Sequence, residues 1–200
     1  MKEQRIIKLK SIFQNNDMIV KSEILKMNKF CSKDITGLVK EGYIQRVRPG
    51  YYIWSRSDTK IDDIVLANRI IHNSVVSLFS AAEIYNLTDV IPSSVYLAVL
   101  AVGKLPILPQ YPLITLSKMA KKLFEIGIVE IHYHDKEIRI YNRERIVCDF
   151  IRLRNKVGND IAIGVLKNYL KDSPDIQKLM EYAKMMRINK LVRTYLEAIL

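Results

Sequence analysis

The sequence predicts an α+β chain in two parts, on three observations. Apolar residues recur at helical spacing in three short segments before residue 41. The period then drops to two on either side of Arg48-Pro49-Gly50, in residues 43–47 and 51–54, as in a β-hairpin. Beyond a polar joint at residues 55–60, strand-like and helix-like segments mix, and the chain ends in a run of helices. Three helices closed by a basic hairpin is the layout of a winged helix-turn-helix. The expectation is therefore a winged-helix domain over residues 1–58, followed over 59–200 by a mixed α/β domain with a helical tail.

The first helix is expected over residues 3–15, with Ile6, Ile7, Leu9, Ile12 and Phe13 as its buried stripe. Asn15-Asn16-Asp17 breaks it, and Ile19 and Val20 form a short extended piece. Ser22 is placed to cap a second helix carrying Ile24, Leu25 and Met27, and Lys29 and Phe30 turn the chain into a third. In that third helix Ser32 stands at the N-cap, Ile35, Leu38 and Val39 share the core face, and Gly42 follows where a left-handed residue ends a helix cheaply. Lys33, Thr36 and Lys40, three and four residues apart, share the opposite side. Two ammonium groups flanking a hydroxyl suit a phosphate-lined groove, with Thr36 short enough to approach a base edge. The hairpin adds Arg46 and Arg48 with Tyr51 beside them. Helix, turn and basic hairpin in that order mark a double-stranded DNA reader, with Ser32, Lys33, Thr36, Lys40, Arg46, Arg48 and Tyr51 as its contacts.

In the second part, helices are expected over 61–71 and 77–86, a buried strand over 95–100, and a connecting loop around Pro106, Pro109 and Pro112. An edge strand at 114–116 follows. Residues 127–133 and 137–141 alternate as a hairpin around Asp135-Lys136. Asn142 caps a helix reaching about Asn155, and Gly158 ends the loop after it. Helices over 160–170, 175–186 and 189–200 complete the tail.

Charge is distributed unevenly. The 200 residues carry a net charge of +11. Residues 1–60 hold 13 Lys and Arg against 6 Asp and Glu, a net of +7, and the remaining 140 residues hold only +4. The positive excess thus falls on the segment already read as DNA-binding. Cys31 and Cys148 match no zinc spacing and are expected as free thiols in a reducing compartment. The longest apolar run, residues 95–102, is far below the ~20 residues of a membrane span. The first fifteen residues mix charge with apolar positions, unlike a secretory signal. A cytoplasmic protein with no membrane partner, cofactor or metal is expected.

Other constellations point less far. Glu144, Arg145 and Asp149 sit on one helix, with Arg145 and Asp149 spaced for an i,i+4 ion pair. A metal-dependent nuclease needs a second cluster of carboxylates that this sequence does not place nearby. His132 and His134 alternate onto one strand face without an evident third ligand. No nucleophile elbow or glycine-rich phosphate loop occurs, and Met185, Met186, Leu191 and Val192 are expected to pack helices.

The ordered fragments Gly42-Tyr43-Ile44, Arg46-Val47, Gly50-Tyr51-Tyr52, Ser80-Ala81-Ala82, Leu87-Thr88-Asp89, Ile91-Pro92, Glu144-Arg145-Ile146-Val147-Cys148-Asp149 with Arg152, and Tyr182-Ala183 span nearly the whole chain. In this it resembles the AbiEi antitoxins, transcriptional regulators of bacterial abortive-infection (type IV) toxin–antitoxin systems. Asn86 stands where that family has a glycine, which touches only a local turn. The resemblance implies a winged-helix autorepressor binding inverted repeats in its own promoter; with one winged helix to each half-site, two protomers are expected on the repeat. It also implies a C-terminal antitoxin domain opposing a nucleotidyltransferase-like toxin without a stable complex. The basic outer surface of the tail, with Lys184, Arg187 and Lys190, is the expected antitoxin surface. Two alternatives stand beside this reading: a nucleic-acid-processing enzyme with a nuclease-like C-terminal domain, and a winged-helix regulator that senses a metabolite.

Overall fold

A computed structural model describes residues 3–56 and 61–199. Residues 57–60 of the expected joint, and the 58/59 boundary within them, lie outside the described residues. The chain forms two compact units. One takes in the described residues up to Ile71 together with Leu105–Leu113; the other comprises His72–Lys104 and the described residues from Ile114 onward. Both contain helices and a sheet, so the α+β class holds.

The first unit opens with α1 (Glu3–Gln14), whose buried stripe is Leu9, Ile12 and Phe13. Ile7 was expected on that stripe but is 65% exposed. It stands two residues before Leu9, about 160° around the helix from it. Asp17 and Met18 take positive φ at the break. Then come β1 (Ile19–Lys21), α2 (Ser22–Met27), α3 (Ser32–Lys40), β2 (Ile44–Arg48) and β3 (Tyr51–Trp54). The three strands form an antiparallel sheet in the order β1-β3-β2. Leu9, Phe13, Val20, Leu25, Phe30, Ile35, Leu38, Ile44 and Trp54 fuse helices and sheet into one core.

Two expected caps are displaced by one residue. Lys21, not Ser22, is the N-cap of α2. Lys21 is still paired with Tyr51 in the sheet and the Ser22 N–H donates to the Gly50 carbonyl, so the chain passes from strand into helix without an intervening cap serine. Likewise Cys31 precedes α3, and its N–H donates to the Asp34 carboxylate at 3.0 Å. Met27 is 83% exposed and Val39 lies on the rim of the core face. Helix α4 (Asp63–Ile70) closes the unit, with the Asp62 carboxylate accepting from the Ile64 and Val65 N–H groups. Arg69 pairs with Asp17 at 2.6 Å, and the Tyr111 hydroxyl donates to Asp63.

The second unit is built on a five-stranded sheet. In chain order it contains β4 (Val75–Val76), α5 (Leu78–Ile84), β5 (Val95–Leu100), β6 (Ile114–Met119), α6 (Lys121–Phe124), β7 (Ile128–Tyr133) and β8 (Lys136–Tyr141). Helices α7 (Arg143–Arg152), α8 (Arg154–Val157), α9 (Asn159–Lys171), α10 (Ile176–Met185) and α11 (Asn189–Ile199) follow. Strand order is β6-β5-β4-β8-β7. The β5–β6 and β4–β8 pairs are parallel; the other two are antiparallel. Strand β6 lies at the edge as expected, though longer. Asn142 and Asp175 cap α7 and α10 through their side chains.

The tight turn of the β7–β8 hairpin falls at His134-Asp135, both with positive φ, and not at Asp135-Lys136. His134 therefore leaves the strand face that it was expected to share with His132.

Candidate nucleic-acid interface

Helix α3 turns Ile35 and Leu38 into the core, which leaves Ser32, Lys33, Thr36 and Lys40 exposed. Among the cations of the described residues, those of the first unit divide into two groups. Arg5 is committed to Asp34 at 3.0 Å and to the Lys29 carbonyl. Arg56 lies flat over Tyr43 at 3.6 Å and donates to the Glu41 carbonyl. Lys33, Lys40 and Arg46, by contrast, present their charge to solvent. The Thr36 hydroxyl donates to the Ser32 carbonyl one turn back, which holds it on the helix with its oxygen still open to accept a further bond. Asp34 is held below the usual carboxylate range by the Cys31 thiol and N–H and then by Arg5, so it stays ionised and fixes the start of the helix.

The hairpin is less uniform than its sequence implies. Arg46 is exposed, but Arg48 is half-buried. Its guanidinium donates to the Ile70 carbonyl at 2.6 Å and stacks 4.9 Å from the Tyr51 ring. The ladder explains the difference. Arg46 faces Tyr52 and Arg48 faces Tyr51, so a bulge intervenes and turns the second arginine away from the direction of the first. Arg48 thus ties the hairpin to the end of α4. Tyr51 is half-buried, with the Lys21 ammonium 5.8 Å from its centroid.

The sequence reading did not include Lys21. Its place beside Tyr51 comes from the β1–β3 pairing, which brings together residues thirty apart and leaves no local signal. Nor did it include Lys26 and Lys29, which line a recess of about 340 Å³ with Phe30, Cys31 and Ser32. Both extend the positive rim past the start of α3.

Lys184, Arg187 and Lys190 are exposed in the second unit, at and beyond the end of α10, with Met186 buried between the first two. Glu144, Arg145 and Asp149 are buried there. Arg145 donates to Asp149 at 2.9 Å and to the Ile126 carbonyl at 2.8 Å, and its guanidinium lies over the Tyr141 ring at 4.3 Å. Arg152 holds the other Asp149 oxygen at 3.0 Å, and Lys178 stands 3.5 Å from Glu144. Every one of these charges has a partner, the arrangement of a core brace. Burial pushes the neighbouring Cys148 thiol up to about 12 and also raises the Tyr141 and Tyr169 hydroxyls above their ordinary range, so all three stay protonated. Among the described residues no three His, Cys, Asp or Glu side chains group as a metal site. Nor is any described helix long and apolar enough to cross a membrane.

No known family model matches this chain, and no curated protein does. Among solved structures it is similar to the crystal structure of the RV2827C protein from Mycobacterium tuberculosis. Identity is 12%, the alignment covers 94% of this chain and 78% of that one, and the TM-score is 0.55. That likeness is one of fold.

Proposed function

We propose that the first unit is a winged-helix DNA-binding module and that the chain is a transcriptional autorepressor and antitoxin. The observation that carries the DNA-binding part is the outward face of α3. Lys33, Thr36 and Lys40 are exposed on the side opposite a core that fixes the helix on a hairpin bearing Arg46. A helix presented in this way fits the major groove, with the hairpin along the phosphates. Lysines and Arg46 supply affinity through phosphate contact, and Thr36 and Ser32 supply groups short enough to read a base edge.

The antitoxin part rests on the ordered resemblance to the AbiEi antitoxins. It assigns the operator as an inverted repeat, which two protomers engage if each half-site holds one winged helix. It assigns the target as a nucleotidyltransferase-like toxin; the surface that opposes it is our own assignment, made from the basic, exposed Lys184, Arg187 and Lys190 of the tail. Two variants separate these roles in cells that carry the toxin and a reporter behind the chain's own promoter. Reversing Lys33 and Lys40 to Glu relieves repression and spares rescue. Reversing Lys184, Arg187 and Lys190 to Glu abolishes rescue and spares repression. Full repression by the first variant contradicts the DNA-binding assignment, and full rescue by the second contradicts the antitoxin surface.

A further inference from the structure

Within α3 one residue has no role in the fold. Gly37 sits in the middle of a nine-residue helix, in ordinary helical backbone, and a Cβ built on it would meet no atom within 4 Å. Glycine at such a place weakens a helix relative to alanine, because it loses more backbone freedom on folding and adds no contact. Except for Gly164 in α9, the other glycines of this chain are explained by their surroundings. Gly42 and Gly50 take positive φ, and Gly127 is crowded at 2.7 Å by the Arg145 Cβ. Gly37 has neither reason.

Its position supplies one. Residue 37 lies four after Lys33, next to Thr36 and three before Lys40, so all four occupy one stripe of the helix surface. The stripe therefore has two cations at its ends, a hydroxyl beside its middle, and bare backbone in between. A side chain at 37 would stand between the two ammonium groups, where a strand of duplex must come closest if both are to reach phosphates. We infer that Gly37 is a close-approach position, kept free of a side chain so that the sugar–phosphate backbone or a base edge can lie against the helix itself. This deepens, and rests on, the assignment of α3 to the major groove.

The test uses the full chain and a fluorescein-labelled duplex of about 20 base pairs, enough for two turns of groove, that the wild type retains from a random pool. Gly37→Ala is expected to unfold at a temperature equal to the wild type's or higher by about 2–4 °C, followed by the fluorescence of Trp54, the one tryptophan. Its Kd for the duplex is expected to rise at least about tenfold, the effect of one methyl group forced into a packed contact. Gly164→Ala is the control. Gly164 is likewise an uncrowded helical glycine, in α9, and its variant keeps the wild-type Kd.

Wild-type affinity in Gly37→Ala, alongside weakened binding by Lys33→Glu, overturns the inference and leaves the DNA-binding reading intact. Equal losses in both glycine variants, or a lower unfolding temperature for Gly37→Ala, also overturn it. If the wild type retains no duplex, the inference and the reading fall together.

Discussion

Arg46 and Arg48 show how two identical side chains, two positions apart, come to do different work. In a regular strand that spacing puts both on one face. Here the bulge between them sends Arg48 to the Ile70 carbonyl and leaves Arg46 in solvent. Their substitutions should therefore separate cleanly. Arg48→Ala removes a charge-assisted hydrogen bond and a stacking contact, and is expected to cost about 1–3 kcal/mol of stability with no change in the salt dependence of DNA binding. Arg46→Ala is expected to leave stability unchanged. It should lower affinity for all sequences alike and flatten the slope of log K against log salt by about one. Denaturant unfolding read by Trp54, paired with duplex titrations at several salt concentrations, decides the matter. The opposite pattern would place Arg48 at the DNA and Arg46 in the frame.

Among the elements, α7 contributes most to the interior of the second unit, since residues 144–151 are all buried. Its approach to the sheet depends on a residue outside it. Gly127 has φ +75°, and a Cβ there would meet Arg145 Cβ at 2.7 Å, Asn142 Oδ1 at 2.8 Å and Tyr182 Cε2 at 3.2 Å. Gly127→Ala combines an adverse backbone with overpacking and should cost about 2–4 kcal/mol. A thermal melt followed by far-UV circular dichroism would show it, and an unchanged midpoint would mean that α7 is not held as described.

Elements of this size were mostly legible in the sequence. The long helices declared themselves through 3.6-residue spacing and, for α7, through the cap at Asn142, and the β2–β3 hairpin through its Pro-Gly turn. What stayed hidden was set by partners distant in sequence or was too short to show a period. Strand β4 has two residues and α6 has four. The shifted cap at Lys21 depends on the Ser22–Gly50 bond, which is not local, and the one at Cys31 on a local exchange with Asp34 that a cysteine at the cap does not advertise. In the site itself, the exposed face of α3 could be read from periodicity alone. The different placement of Arg48, and the presence of Lys21 beside Tyr51, could not.

On the scale of the molecule, the distribution of charge has more meaning than its total. The second unit is the larger but carries the smaller positive excess, and its buried Arg145, Asp149 and Glu144 are matched with one another or with the more exposed Arg152 and Lys178. In the first unit several cations are spent internally, yet Lys33, Lys40 and Arg46 remain free around α3. A protein that binds duplex through such groups releases condensed counterions, and its affinity falls steeply with salt. The same dependence identifies the surface responsible, because each lost contact flattens the slope by about one.

The decisive measurement is the duplex affinity of the wild type and of the Lys33→Glu/Lys40→Glu variant across a fourfold range of salt. The account predicts a steep negative slope for the wild type, flatter by about two in the variant, with unfolding midpoints that coincide. Identical slopes and affinities for the two folded proteins would contradict it.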